Sequence, residues 1–374
     1  MQHIKPAIAV VVVLTLFGCT PAPAPTATPS GVEPTPTPTP TPIVYPGPVA
    51  LAPKAELLAY GLDVPWSMVR LESGSTLISE RNTAIVKELT PSHALRDVGT
   101  VPGVVHSAEG GLLGLAVLDN RWLYAYISTS EDNRILRMPL SGEPGSYAFG
   151  APEVIVSGMR VENSHDGGRI KFGPDGMLYA TVGDARVDMD AQDLASLNGK
   201  VLRMTPEGNV PYDNPFPNSL VYSMGHRNPQ GITWDDEGQL WEAELGQNTW
   251  DELNRIQPGG NYGWPIVEGI GGNPDYLDPV QQWDTDDASP SGLVFTRGTF
   301  FLAALRGQRI WTIYVDGAEA SSVPAFVGTF GRIRDVIEGP EGTLWFLTSN
   351  TSNGSPRVGD DKLYEVRLIP LSEG

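Results

Sequence analysis

The sequence predicts an all-β chain, a six-bladed β-propeller of four-stranded antiparallel blades. Three observations carry this. A short unit, a turn with Gly or Asn followed by an apolar-aromatic strand, recurs six times. No long stretch shows the 3.6-residue apolar period of an amphipathic helix. Glycine and proline, which punctuate strands with turns, are frequent.

In chain order the first three copies are Ser73-Gly74-Ser75-Thr76-Leu77-Ile78, Asn120-Arg121-Trp122-Leu123-Tyr124-Ala125-Tyr126 and Asp175-Gly176-Met177-Leu178-Tyr179-Ala180. The others are Glu237-Gly238-Gln239-Leu240-Trp241-Glu242, Arg306-Gly307-Gln308-Arg309-Ile310-Trp311 and Glu341-Gly342-Thr343-Leu344-Trp345-Phe346. Six copies in about 325 residues leave about 54 for each, enough for one four-stranded blade and its loops. The loops must vary, because 46 residues separate Leu77 from Leu123 and 62 separate Leu178 from Leu240. Arg134–Met138 and Lys362–Arg367 read as further strands. A β-sandwich array would also show short strands and turns, but gives no reason for one strand type to recur six times. Propellers place their sites at the central channel, on loops from several blades. Site residues should therefore be scattered in sequence and fall just outside the repeats.

The chain divides into three parts: residues 1–18, 19–48 and 49–374. The first has a charged start, an apolar run of ten residues from Ala7 to Leu16, and small residues after it, the layout of a secretory signal. Ten residues are too few for a bilayer core, which takes about 20. Cys19 is the one cysteine in the sequence, so no internal disulfide exists to explain it. Leu16-Phe17-Gly18-Cys19 resembles the lipobox of bacterial lipoproteins, which implies lipidation at Cys19 and an exported domain tethered to a membrane outside the cytoplasm. From Thr20 to Pro48 the chain is mostly Pro, Thr and Ala, with nothing to bury. It favours extended polyproline II, a spacer of about 3.1 Å per residue that carries no chemistry. The domain itself begins at Val49.

The formal net charge of −19 argues against nucleic-acid backbones and anionic lipid surfaces as partners. Membrane contact is then left to the anchor, and a pocket for an anion needs its own cluster of Arg or Lys.

Five stretches between the strands are too specific to be simple turns. They are Glu109-Gly110-Gly111-Leu112-Leu113-Gly114, Ser164-His165-Asp166-Gly167-Gly168, Gly225-His226-Arg227-Asn228-Pro229-Gln230-Gly231, the run Gly246 to Asn254, and Gly259-Gly260-Asn261-Tyr262-Gly263-Trp264-Pro265. A loop His is more often hydrogen-bonded structure than a base. Here the glycines after His165 let backbone approach a ligand closely, and Asp166 is placed to fix the imidazole tautomer. Arg227-Asn228, which as an isolated pair would suit a surface turn, lies between two predicted blade strands and so on a channel loop. Arg332 and Arg334 alternate, so they share one face of an extended segment. The acidic runs Asp184 to Asp193 and Asp284 to Asp287 lack the spacing of a calcium loop and read as solvated loops.

Long and in this order, these stretches resemble the PQQ-dependent soluble glucose and aldose sugar dehydrogenases (PQQ, pyrroloquinoline quinone). The likeness runs from Leu62-Asp63-Val64-Pro65-Trp66 to the last strand. It implies the following roles. His165 is the general base for a sugar hydroxyl. Arg227, Asn228 and Gln230 contact the quinone, Arg227 stabilising charge as it builds on oxygen. Arg332, Arg334 and Arg297 take the cofactor carboxylates, for which guanidinium is well shaped. The carbonyls of Gly246 and Gln247 hold a calcium ion that also grips PQQ, and a second calcium site uses Glu252 and the Tyr262 carbonyl. Glu109 and Asp166 face the substrate, with Glu109 standing where the family carries Gln. The implied reaction oxidises an aldose at C1 to the lactone by hydride transfer, with a small sugar as substrate and an electron acceptor the sequence does not name. Two competing readings are a non-catalytic ligand-binding propeller and a calcium-dependent lactonase-type hydrolase. The first has no need of His165, Arg227, Asn228, Arg332 and Arg334 together. The second needs several carboxylate and Asn ligands converging on one ion. No G-x-S-x-G or G-x-G-x-x-G motif supports serine hydrolysis or nicotinamide chemistry.

Overall fold

Strand after strand in this chain is apolar on both faces, and the fold uses both. In Trp122–Ser128, Leu123, Ala125 and Ile127 enter one interblade core while Tyr124 and Tyr126 enter the next. Leu344 and Phe346 likewise face one core, Trp345 and Leu347 another. Fully burying such a side chain contributes about 1.5–3 kcal/mol. A sheet that must bury both faces needs a sheet on each side, and a ring of blades supplies them.

The computed structural model describes residues 47–353 and 355–371. It contains six antiparallel blades, as the repeat predicts. Their innermost strands are Pro65–Arg70, Leu112–Leu118, Ile170–Phe172, Pro229–Trp234, Pro290–Thr296 and Ile333–Glu338. These neighbour one another in order around a channel, and the last meets the first. At that closure Asp335 Oδ2 accepts the Met68 N–H at 2.8 Å. The sixth blade takes its outer strand from the other end of the chain: Val49–Tyr60 pairs with Lys362–Pro370, from Val49 opposite Pro370 to Tyr60 opposite Lys362. That pairing ties the ring shut.

Five of the six repeat copies lead into the second strand of their blade. The fifth does not. Arg309–Asp316 is the third strand of its blade, and its second is Thr299–Ala304. The turn equivalent to the other five is therefore the one at Arg297-Gly298, which places Arg297 at the far end of its inner strand. Helix among the described residues is confined to the short 3₁₀ segments Asp188–Gln192 and Pro340–Gly342 and the one-turn helix Asn350–Asn353. No helix there is long and apolar enough to cross a membrane. Cys19 and the Pro/Thr-rich spacer lie outside the described residues.

Candidate active site

All six inner strands start at one end of the channel, here the upper end. The loops that enter them bring the motifs together. They surround a pocket of about 250 Å³ whose lining includes Arg81, Glu109, Asp166, Gln230, Arg332 and Arg334.

His165 sits directly before the third inner strand with φ +67°. The glycines after it are dictated by space. A Cβ at Gly167 would lie 2.7 Å from the Thr181 carbonyl oxygen, and one at Gly168 would lie 2.6 Å from Leu113 Cδ1. Glu109 Oε2 accepts the His165 backbone N–H at 2.9 Å. The imidazole is held at both nitrogens. Nδ1 is 2.7 Å from Asp184 Oδ1, and Nε2 is 2.9 Å from Arg227 Nη2. Guanidinium has no acceptor, so Nε2 must accept and Nδ1 must carry the proton. The ring is thus fixed as the tautomer whose Nε2 lone pair is unprotonated and faces Arg227.

Two expectations are corrected here. The carboxylate that fixes the imidazole is Asp184, not Asp166. And the acidic run Asp184 to Asp193 is not wholly solvated, since Asp184 has no exposed surface. Its Oδ2 accepts the indole N–H of Trp264 at 2.8 Å, and its Oδ1 also takes the Arg186 N–H at 2.9 Å. Asp166 faces the pocket instead. Its Oδ1 accepts from Asn133 at 2.9 Å, its Oδ2 is buried without a partner, and burial pushes its carboxyl up to about 6.

Arg227 is the hub between pocket and loop. Its backbone N–H donates to Glu244 Oε2 at 2.6 Å, and its Nη1 to the carbonyls of Gly246 at 2.6 Å and Leu245 at 3.0 Å. Asn228 is buried, and its Oδ1 takes the Gly167 N–H at 3.1 Å, tying the His165 loop to the fourth blade. Gln230 Oε1 accepts from Arg334 Nη1 at 2.8 Å. Arg334 and Arg332 enter from the sixth blade, and Arg81 from the first. Burial pushes all three guanidiniums down from their usual range; for Arg334 the neighbouring Arg81 and Arg332 add to it. The Nε atoms of Arg227, Arg332 and Arg334 are buried and unpartnered. Crowded, partly unsatisfied guanidiniums in an acidic protein form a receptor for a multiply charged anion.

Arg297 is not part of it. It follows the end of its inner strand, at the lower end of the channel, where Nη2 lies 3.6 Å from Glu338 Oε1. It cannot reach the upper pocket, so, contrary to expectation, it takes no cofactor carboxylate there.

Beside Arg227 lies a cavity of about 10 Å³, lined among others by Gly246, Glu252, Tyr262, Glu244 and Glu268. That is close to the volume that holds one water-sized guest. Three carboxylates around one small space suit a hard cation with oxygen ligands. Burial, with Glu244 next, pushes Glu252 up to about 8. Gln247 is exposed, and its N–H donates to Glu268 Oε1 at 2.7 Å, beside the N–H groups of Asn248, Thr249 and Trp250. Sequence reasoning missed Asp184, Arg81 and Glu268. A signal existed for Asp184: it follows Leu178–Val182, the strand that pairs with Ile170–Phe172, which the His165 loop enters.

The relatives that share this fold make the chain a propeller oxidoreductase of the sugar-dehydrogenase class. The sequence profile of the Glucose / Sorbosone dehydrogenase family matches residues 62–356, and the chain belongs to that family. Its structure is similar to that of a PQQ-bound aldose sugar dehydrogenase from Streptomyces coelicolor, at TM-score 0.81 and 43% identity, covering 86% of this chain and 100% of that one. An aldose sugar dehydrogenase of Escherichia coli is 28% identical over 79% of this chain and 90% of its own. A quinoprotein glucose dehydrogenase of Acinetobacter calcoaceticus is 30% identical over 57% of this chain and 52% of its own.

Proposed function

We propose that this protein oxidises aldose sugars at C1 to the lactone, using PQQ and calcium, with His165 as general base. The observation that carries the reading is the fixed tautomer of His165, whose Nε2 lone pair stands between Asp184 behind and the arginine-rich pocket in front.

Arg332, Arg334 and Arg227 would hold the carboxylates and carbonyl edge of the cofactor, with Gln230 orienting Arg334 and Asn228 keeping the His165 loop in place. The Gly246 and Gln247 carbonyls would hold one calcium ion; Glu252 and the Tyr262 carbonyl would hold a second in the small cavity. When bound, PQQ supplies the two-electron acceptor that the side chains lack. Glu109 and the free Oδ2 of Asp166 accept hydrogen bonds from sugar hydroxyls. The anomeric hydroxyl gives its proton to His165 Nε2, for which Arg227 Nη2 must first yield its place. Asp184 then stabilises the imidazolium. As the C1 hydrogen leaves with its electron pair toward the acceptor, the sugar becomes the lactone. Arg227, freed from Nε2, would stand as a fixed cation where negative charge builds in the pocket.

Removing one charge-assisted contact should cost about 1.5–3 kcal/mol, tenfold to a hundredfold in affinity. Titrating PQQ into Arg332→Ala and Arg334→Ala proteins should show that loss in each. Wild-type affinity in both would return these arginines to a structural role.

The same reading places the domain outside the cytoplasm on a lipid at Cys19, from the apolar leader ending at Gly18-Cys19. Cys19→Ser should move the protein from the membrane to the soluble fraction with its activity intact. A variant that stays membrane-bound would remove the anchor from the account.

A further inference from the structure

Below the active-site pocket the channel widens into a second chamber of about 460 Å³, lined by the lower halves of all six inner strands. The Trp66 ring helps to divide the two. Arg334, on the pocket side, stacks 5.8 Å from its centroid, and Arg169, of the lower chamber, stacks 4.2 Å from it.

The charges around the lower chamber do not balance. Five line it: Arg70, Arg169, Lys171, Asp335 and Glu338. Both acids have cation partners, Asp335 in Arg169 at 3.1 Å and Glu338 in Arg297 at 3.6 Å. Among the described residues neither Arg70 nor Lys171 has a carboxylate within ion-pair distance. Lys171 Nζ has one long contact, 3.4 Å to the Thr233 hydroxyl. Arg169 is 6% exposed, and its Nη2 is buried with no partner. Burial pushes the Lys171 amine down to about 8, the mark of an ammonium short of compensation. Surplus cations on a chain of net charge −19 are unexpected without an anion to meet them. The remaining walls include Phe172, Trp234 and Phe295. A mainly apolar cavity of this size with a few convergent polar groups has the make-up of a small-molecule site.

We propose that the lower chamber is a second binding site, for a small organic carboxylate with a flat apolar body, its charge met by Lys171 and Arg169. This stands apart from the quinone reading, which concerns the other end of the channel.

The test is titration of 4-fluorobenzoate into the full-length protein, followed by fluorine NMR. Wild type should bind, and acetate, lacking the apolar body, should bind more weakly. Lys171→Met should lose affinity by about tenfold or more, the effect of one charge-assisted contact. Lys171→Arg, with melting temperatures measured for both variants, should retain it. Arg332→Ala, which alters only the upper pocket, should bind as wild type does. Absent binding at millimolar ligand, equal affinity in Lys171→Met, acetate matching the aromatic acid, or loss of binding in Arg332→Ala would each overturn the proposal.

Discussion

Replacing His165 with alanine is expected to lower sugar turnover by about 10²–10⁴-fold, the usual contribution of a general base. The fold should survive, because the loop is held independently by Glu109 at the His165 N–H and by Asn228 at the Gly167 N–H, at 2.9 and 3.1 Å. PQQ binding should persist too, since its proposed ligands come from the fourth and sixth blades. Turnover and PQQ affinity measured on one preparation separate the possibilities. Near-normal turnover removes His165 from the mechanism, and loss of both activities makes it a structural residue.

The second large effect is expected at Asp184. Both its oxygens already accept: Oδ1 from His165 and Arg186, Oδ2 from Trp264. An amide has one accepting oxygen, so Asp184→Asn must turn an N–H₂ toward a donor. If it faces His165, Nδ1 becomes the acceptor and the proton moves to Nε2, the atom meant to act as base, and Arg227 Nη2 loses its acceptor there. Turnover should then fall by about 10²-fold or more, as for loss of the base itself. Nitrogen NMR of His165 gives a readout that a general loss of stability would not move. Wild type should show the Nδ1–H tautomer, and the variant the Nε2–H tautomer when its amide N–H₂ faces His165 and not Trp264. An unchanged tautomer together with turnover close to wild type would show that Asp184 does not position the base.

The blades were legible because each repeat strand buries both faces, so the pattern Leu-Trp or Leu-Tyr after a Gly turn is forced by two neighbouring cores. The fifth blade misleads for a physical reason. Arg306-Gly307-Gln308 has the composition of the lower-end turns but connects the second and third strands at the upper end, where Arg306 borders the pocket. Arg297 was given to the cofactor by the resemblance alone, and its place just after the inner strand Pro290–Thr296 puts it at the opposite end of the channel. His165, Arg227 and Arg332 could be found because they sit in Gly-flanked loops that enter inner strands, and Arg334 because it is the second residue of the strand that Arg332 precedes. Asp184 was hidden by its company: acids follow it in sequence, and the Trp264 that buries it lies 80 residues away. Carbonyl ligands such as those of Gly246 and Tyr262 leave no side-chain trace at all. Nor does the lower chamber, whose cations come one or two at a time from separate blades.

The most direct test of the account is reconstitution. Purified protein freed of metal and cofactor is given PQQ and calcium, and an aldose is added with an artificial dye acceptor. Dye reduction should require all three of sugar, PQQ and calcium, and should yield one lactone per two electrons passed to the dye. Tight PQQ binding with no aldose-dependent dye reduction, or turnover that persists after exhaustive chelation, would contradict it.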